Sequence, residues 1–297
     1  MAEVTGDANL PWLTQMGGRD DLDNALTHVL RARRTARSAP PRAITGSLFM
    51  ALNAVVEAFR KVRVGHDSGT GDLGSVLSAI APEDQRWLLE RDSLAALAQF
   101  SPSIASNRPG SGAAPTARHD RFREALEQCT ERPPDPRAIL EALSDLLSAI
   151  QATIVHGATS PRDAEHASVE GDSQLVVVIS PVLPDILEAI LNHPSRRLAC
   201  YGSLRPGERH DDVLSNLGGT WRDGGHLMGE ITDWNGYPRL RWFNSGDQIP
   251  VRLFESGELD SAWDRIDSFE GSAYVRSLVP VSVGQSVVVA SCYLAVS

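Results

Sequence analysis

Lysine is almost missing from this sequence: Lys61 is the sole one, so basic charge rests on arginine. Cysteine is scarce as well. Cys129, Cys200 and Cys292 are an odd number, widely spaced and without a C-x-x-C pair. That pattern excludes a disulfide framework or a zinc knuckle and fits reduced thiols in cores, with no metal site expected. No run of about 18 apolar residues is present, and the N-terminal "MAEVTGDANLPW" has no basic segment leading into an apolar one. Neither a membrane span nor a secretory signal is therefore expected, and the sequence reads as cytoplasmic with no membrane partner. A positive charge excess is also lacking. The net charge is −10, and acidic residues outnumber basic ones in both halves of the chain. That excludes a general nucleic-acid binder. A local basic cluster is the exception: "RARRTAR" sets Arg31, Arg33, Arg34 and Arg37 on little more than one helical turn, which suits either a solvated helix end or a local basic site.

What is present suffices for two domains, since 297 residues with 42% hydrophobic content can build two cores. From Asp20 to Gln99, "LDNALTHVLRA", "ITGSLFMALNAVVEAFRKV" and "EDQRWLLERDSLAALAQF" repeat apolar residues at i, i+3, i+4 and i+7, predicting three helices or more. Residues 101–117 are Ser-, Pro-, Gly- and Ala-rich and predict an exposed loop. Helices resume in "RHDRFREALEQC" and in "DPRAILEALSDLLSAIQATIVHG", the latter with Asp135 as N-cap, Pro136 at the first helical position and Gly157 beyond its end. A polar loop over 158–173 precedes "LVVVISPVLPDILEAILNH", which reads first as a strand or buried turn and then as a helix.

After Pro194 the pattern changes. "RLACYGS", "GGHLMGEI", "GYPRLRWF", "PVRLFES", "AYVRSLVPVSV" and "SVVVASCYLAV" are short β-branched or aromatic runs between Gly-rich turns, interrupted by one helix, "GELDSAWDRIDSFEG". The expectation is an all-helical domain over 1–195 and a small mixed β-barrel over 196–297. In the lone helix, Leu259, Trp263 and Ile266 form an inward stripe whose next position is Glu270. A carboxylate there sits at the core edge, in the last turn before Gly271, where the helix dipole disfavours negative charge. Both influences raise its pKa toward the range of a general acid or base. An outward, solvated Glu270 at a fraying helix end fits the sequence equally. At 201–204, Tyr201, Gly202, Ser203 and Leu204 end a strand in a small-residue corner whose amides suit an anion or oxyanion.

Together, "YGSL" at 201–204, "GYP" at 236–238, "IDSFEG" at 266–271 and the following "AYVR" resemble the γ-glutamylcyclotransferase-like family, which includes the avirulence-induced-gene-like proteins. The resemblance covers about 196–297. It implies a small barrel with a central cavity, no cofactor and a small-molecule γ-glutamyl substrate. Members release 5-oxoproline by attack of the glutamyl α-amine on its own γ-carbonyl. The resemblance assigns general acid/base work to Glu270, the backbone cradle to Tyr201, Gly202, Ser203 and Leu204, and cavity walls to Tyr237, Pro238 and Tyr274. Tyr293 is a further candidate for the wall. For these tyrosines barrel packing is an equal alternative, and Arg205 reads either as a carboxylate contact or as part of a plain turn.

A histidine closing a long helix before a glycine, in a helical domain, resembles the HEPN family, whose ribonucleases carry an arginine four to six residues ahead of that histidine. Here His156 fits, but Gln151 stands at the arginine position and lacks the bidentate positive fork that holds a phosphate. The resemblance implies RNA or nucleotide contact and a homodimer through this domain, with RNA cleavage doubtful. The alternative is a plain helical scaffold in which His156 caps the helix end. The leading expectation is thus a γ-glutamylcyclotransferase-like enzyme acting on a γ-glutamyl amine or related adduct. The rival readings are a toxin-antitoxin or phage-defence type protein with a regulatory barrel, and a catalytically silent binding barrel.

Overall fold

A computed structural model describes residues 19–35, 40–63, 72–100, 114–128, 136–156, 169–243 and 245–296. Cys129, Asp135, Gly157 and the loop segments 101–113 and 158–168 lie outside the described residues. Packing divides the chain into two units, residues 1–34 with 191–297, and residues 35–190.

The second of these units is helical. It holds α2 (Pro41–Arg63), α3 (Leu73–Ala79), α4 (Pro82–Leu89), α5 (Asp92–Gln99), α6 (Ala114–Glu127), α7 (Pro136–His156), α8 (Val169–Ile179) and α9 (Val182–Ile190). In α2, Leu48, Leu52, Val55 and Phe59 recur at helical spacing and are buried. One window of α2, Pro41–Phe59, is long and apolar enough to cross a membrane by length and composition, with mean hydropathy 1.2. Half of that window is buried inside the structure.

The expectation of three helices or more over 20–99 is met by five among the described residues, while those for "LVVVI" and for the loop ends are corrected. The stretch "EDQRWLLERDSLAALAQF" is two helices, because Arg91 is extended between α4 and α5. Ser93, at the start of α5, is buried and donates to Asp185 Oδ2 at 2.5 Å, a tertiary tie that fixes the break. "LVVVI" is helical within α8: Leu175, Val176 and Ile179 are buried on one side, and packing outweighs the β preference of its valines. Both expected loops end early, since α6 begins at Ala114 with Pro115 in its first turn and α8 begins at Val169.

The first unit is a barrel. Its elements are α1 (Arg19–Thr35, reaching the boundary), β1 (Arg197–Cys200), α10 (Asp212–Ser215), β2 (Thr220–Trp234), β3 (Tyr237–Trp242), β4 (Asp247–Glu255), α11 (Leu259–Glu270), β5 (Tyr274–Val283) and β6 (Ser286–Ala295). The six runs read as strands are the six strands. Their order is β3-β2-β4-β1-β6-β5, and β5 returns to β2 through Gly225↔Val283 and His226↔Ser282, closing five strands into a ring. Closure removes the free edges an open sheet would expose. A register shift between Arg222 and Gly225 bends β2 from β4 toward β5, with Gly224 at φ +75°. β3 folds back on the far half of β2 through Asn235-Gly236, both with positive φ as a tight hairpin turn requires.

Inside the ring, Ala199, Leu227, Leu253, Val279, Val281, Ala290 and Cys292 form one core, and Leu30 of α1 is part of it. Arg34 Nη2 also donates to the Ala295 carbonyl at 3.1 Å. Sequence patterning assigns α1 to the helical domain; by packing it groups with the barrel. α11 lies on the outer side of the sheet, where Leu259, Trp263 and Ile266 pack with Leu198, Cys200, Phe254 and Tyr293.

Candidate functional site

At the end of β1 the chain leaves the barrel wall through Tyr201, whose ring packs against the inner core and whose Oη donates to the Tyr293 carbonyl at 2.8 Å. Three residues on, Leu204 is buried in the outer core with α11. Gly202-Ser203 is thus strung between two anchors on opposite faces. The fit at 202 is close, because a Cβ there would stand 3.2 Å from Pro238 Cγ. The turn that follows braces the loop. Arg205 Nε donates to the Gly202 carbonyl at 3.2 Å, Arg205 Nη2 to Glu208 at 3.0 Å, and the His210 amide to the Ser203 carbonyl at 3.0 Å. Gly207 takes φ +79° within that turn. Of the two readings of Arg205, the structure gives the turn: its guanidinium is spent on the loop itself.

This loop forms one wall of an open cavity of about 260 Å³. Tyr201, Gly202, Ser203 and Leu204 meet Tyr237 and Pro238 from β3, Glu270 from the last turn of α11, Tyr274 from β5 and Tyr293 from β6. Every barrel residue singled out in the sequence as base, cradle or wall therefore lines one space. Gln151 and His156 lie on α7 in the other unit: Gln151 is half-buried, and the side chain of His156 is outside the described residues.

Glu270 owes its place to the α11 stripe and its chemistry to its surroundings. Burial, and secondly the charge of Asp267 one turn earlier, push its carboxyl from 4.5 up to about 7. Arg276 grips Asp267 with two bonds of 2.9 and 3.0 Å, while Tyr293 Oη donates to it at 2.6 Å. Arg276 in turn stacks over Trp263 at 4.2 Å. So a fixed, paired carboxylate sits beside a protonatable one. Tyr274 Oη donates to the Pro238 carbonyl at 3.1 Å, and its pKa is raised by burial and then by Glu270. Burial also drives the Cys200 and Cys292 thiols far up, so both stay neutral and neither is a nucleophile in this cavity.

Sequence reasoning missed four participants: Asp267, Arg276, His210 and Phe269. His210 and Phe269 line the cavity and meet edge-on at 5.2 Å. A signal for Asp267 was available, because it stands three residues before Glu270 on one helix face. Phe269 and Arg276 stand inside the stretches "IDSFEG" and "AYVR", which gave them no role, and nothing local marked His210.

A closed five-stranded barrel thus carries a raised-pKa carboxylate and a glycine corner on one cavity. Residues 198–297 match the family described as gamma-glutamyl cyclotransferase, AIG2-like, and the match supports enzyme chemistry of cyclotransferase type for the barrel. Among solved structures, an uncharacterized protein from Pyrococcus horikoshii is 26% identical, covering 34% of this chain and 78% of its own, with a TM-score of 0.23. Comparison with curated proteins gave no match. The family match stops short of residues 1–197, and no finding supports the HEPN-like expectation for the helical unit.

Proposed function

We propose that the barrel unit is a γ-glutamylcyclotransferase that releases 5-oxoproline and an amine from a γ-glutamyl amide. The observation that carries this reading is a carboxyl with a pKa near 7 on the same cavity as the Gly202–Leu204 backbone. A base poised near the working pH combines a useful ionised fraction with a useful driving force, and such catalysis is typically worth about 10²- to 10⁴-fold. In the reaction the Glu270 carboxylate takes a proton from the substrate's α-ammonium. The freed nitrogen attacks the γ-carbonyl carbon and forms the new C–N bond of the ring. The carbonyl oxygen gains negative charge and is held by the amides of the 202–204 loop, where preorganised donors act more strongly than water. Glu270 then hands its proton to the departing nitrogen, the old C–N bond breaks as the carbonyl re-forms, and the extra proton on the ring nitrogen passes to the released amine, which leaves as its ammonium with the carboxylate restored.

The cavity's size suits this chemistry. At about 260 Å³ it falls just below the usual span of small-ligand sites, enough for a folded-back glutamyl group with its leaving nitrogen toward the mouth. Folding the substrate on itself is half the task, since a well-oriented intramolecular attack removes much of the entropic barrier. The test is 5-oxoproline release, followed by mass spectrometry, from a panel of γ-glutamyl amines and γ-glutamyl amino acids. The wild type is expected to yield product from at least one, and Glu270→Gln to lose about 10²- to 10⁴-fold in kcat. No product from the whole panel, or an undiminished Glu270→Gln variant, overturns the proposal.

A further inference from the structure

Closing the 5-oxoproline ring moves two protons, and one carboxylate carries one at a time. The α-ammonium must lose two hydrogens to become the lactam N–H, and the departing amide nitrogen must gain two to leave as an ammonium. Glu270 accounts for the first transfer. After the attack the ring nitrogen still holds an extra proton. While it does, it departs more easily than a basic alkylamine, and the intermediate falls back to substrate. Taking that second proton away commits the intermediate to product.

Few groups on the cavity are free to take it. Tyr201, Tyr274 and Tyr293 spend their hydroxyls on the Tyr293 carbonyl, the Pro238 carbonyl and Asp267. His210 is different. It is half-buried and lines the same cavity, and among the described residues neither of its ring nitrogens is bonded to a protein group. Its place is fixed by other means: its backbone amide donates to the Ser203 carbonyl at 3.0 Å, and its ring meets Phe269 edge-on at 5.2 Å. The charged groups of its own turn are engaged elsewhere, Glu208 by Arg205 and Asp211 by the Gly207 amide. Phe269 immediately precedes Glu270 on α11, so the imidazole stands between the cradle loop and the helix that carries the base. Phe269 is 43% exposed, which puts the pair on the mouth side, where the leaving nitrogen lies. Both nitrogens are bound to one carbon in the intermediate, so a group that reaches one is near the other.

We propose that His210 is a second catalytic residue of the barrel: its neutral imidazole takes the extra proton from the ring nitrogen of the tetrahedral intermediate and passes it to the released amine, which leaves as its ammonium while the imidazole returns to its neutral form. The proposal rests on the cyclotransferase reading and adds a second proton carrier to it. Imidazole suits the task, because one nitrogen accepts while the other donates, and the ring both takes and gives a proton readily near neutrality. A ring already held by Phe269 and by its own backbone has little freedom to lose when the substrate arrives.

The experiment varies the basicity of the leaving amine at nearly constant size. γ-Glutamylethylamide is compared with γ-glutamyl(trifluoroethyl)amide, whose amine is so weakly basic that it departs before the ring nitrogen does; where the wild type prefers another alkylamide of the panel, that amide and its fluorinated counterpart form the pair. His210→Gln should lower kcat about 10²-fold on the alkylamide, the lower end of the range for acid–base catalysis, and less than about threefold on the fluorinated amide, with KM little changed for either. His210→Phe keeps a ring against Phe269 and should show the same split. Added imidazole should restore alkylamide turnover to His210→Ala. A purely structural role would lower both amides alike and would not respond to imidazole. Equal losses on the two amides, no loss on either, or no rescue by imidazole overturns the proposal while leaving the cyclotransferase reading intact. No 5-oxoproline from the whole panel overturns both.

Discussion

Replacing Glu270 by glutamine should inactivate the barrel and also stabilise it, and the second effect should depend on pH in a defined way. Glu270 ionises near 4.5 in an unfolded chain and near 7 in the folded barrel. Between those values the native state holds a proton that the unfolded state has released. Stability therefore falls as pH rises through this window, is fully present below 4.5, and levels off above about 7. The difference between the two pKa values corresponds to about 3 kcal/mol of stability lost by pH 8. Glutamine has nearly the same shape and no charge, so the variant escapes that fall. At pH 4.5 the two proteins should be close in stability; at pH 8 the variant should lead by about 3 kcal/mol, or roughly 10 °C in the melting temperature of a unit this size. Urea titrations at pH 4.5, 6, 7 and 8 measure the gap directly. Hydrogen exchange at β6 amides restricts the readout to the barrel, whose unfolding need not coincide with that of the helical unit. A gap that stays constant from pH 4.5 to 8 would show that Glu270 is not held protonated by its surroundings, and the argument for its role as a base would fall with it.

Asp267→Asn removes the second cause of the raised Glu270 pKa, so the pH at which activity reaches half its maximum should move to lower pH from about 7, as read from kcat/KM against pH; an unmoved profile refutes the coupling. Leu30→Ala should cost about 2–5 kcal/mol, the usual range for a buried leucine, and raise hydrogen exchange at β6; exchange unchanged there would mean that α1 is not part of the barrel core. Gly202→Ala forces a methyl to within 3.2 Å of Pro238 Cγ, so the loop must shift by a few tenths of an ångström, and kcat/KM should fall about tenfold with little change in melting temperature.

The barrel's elements were readable because apolar, aromatic or β-branched runs alternate with turns such as Asn235-Gly236, and because Leu259, Trp263 and Ile266 recur at helical spacing. A barrel was expected, but which strands close it was not legible, since Gly225 meets Val283 through space and no local pattern in β2 or β5 encodes that pairing. The position of α1 escaped for a related reason: Leu30 has the same helical spacing as residues that pack elsewhere, and periodicity gives a face without naming its neighbour. Glu270 could be found because it interrupts an apolar stripe. Burial, the larger cause of its raised pKa, could be read from the same stripe; the second cause, Asp267, could not, for its partners Arg276 from β5 and Tyr293 from β6 reach it through space. In the helical unit, "LVVVI" shows composition misleading where burial decides, and Gln151 leaves the motif built around His156 without its cation.

The helix that completes the barrel core is made first and the barrel's strands last. Between Arg34 and Leu191 the ribosome produces the whole of the helical unit, and Ala295, which accepts the hydrogen bond from Arg34, follows another hundred residues later. At ordinary rates of synthesis that delay is on the order of tens of seconds, during which the apolar side of α1 has none of its strands to meet. A fragment cut at residue 196 would have the opposite difficulty, with every strand present and the place of Leu30 left empty. Expression of the barrel by itself should therefore succeed better when residues 19–35 are supplied alongside it, as a separate peptide or rejoined through a linker.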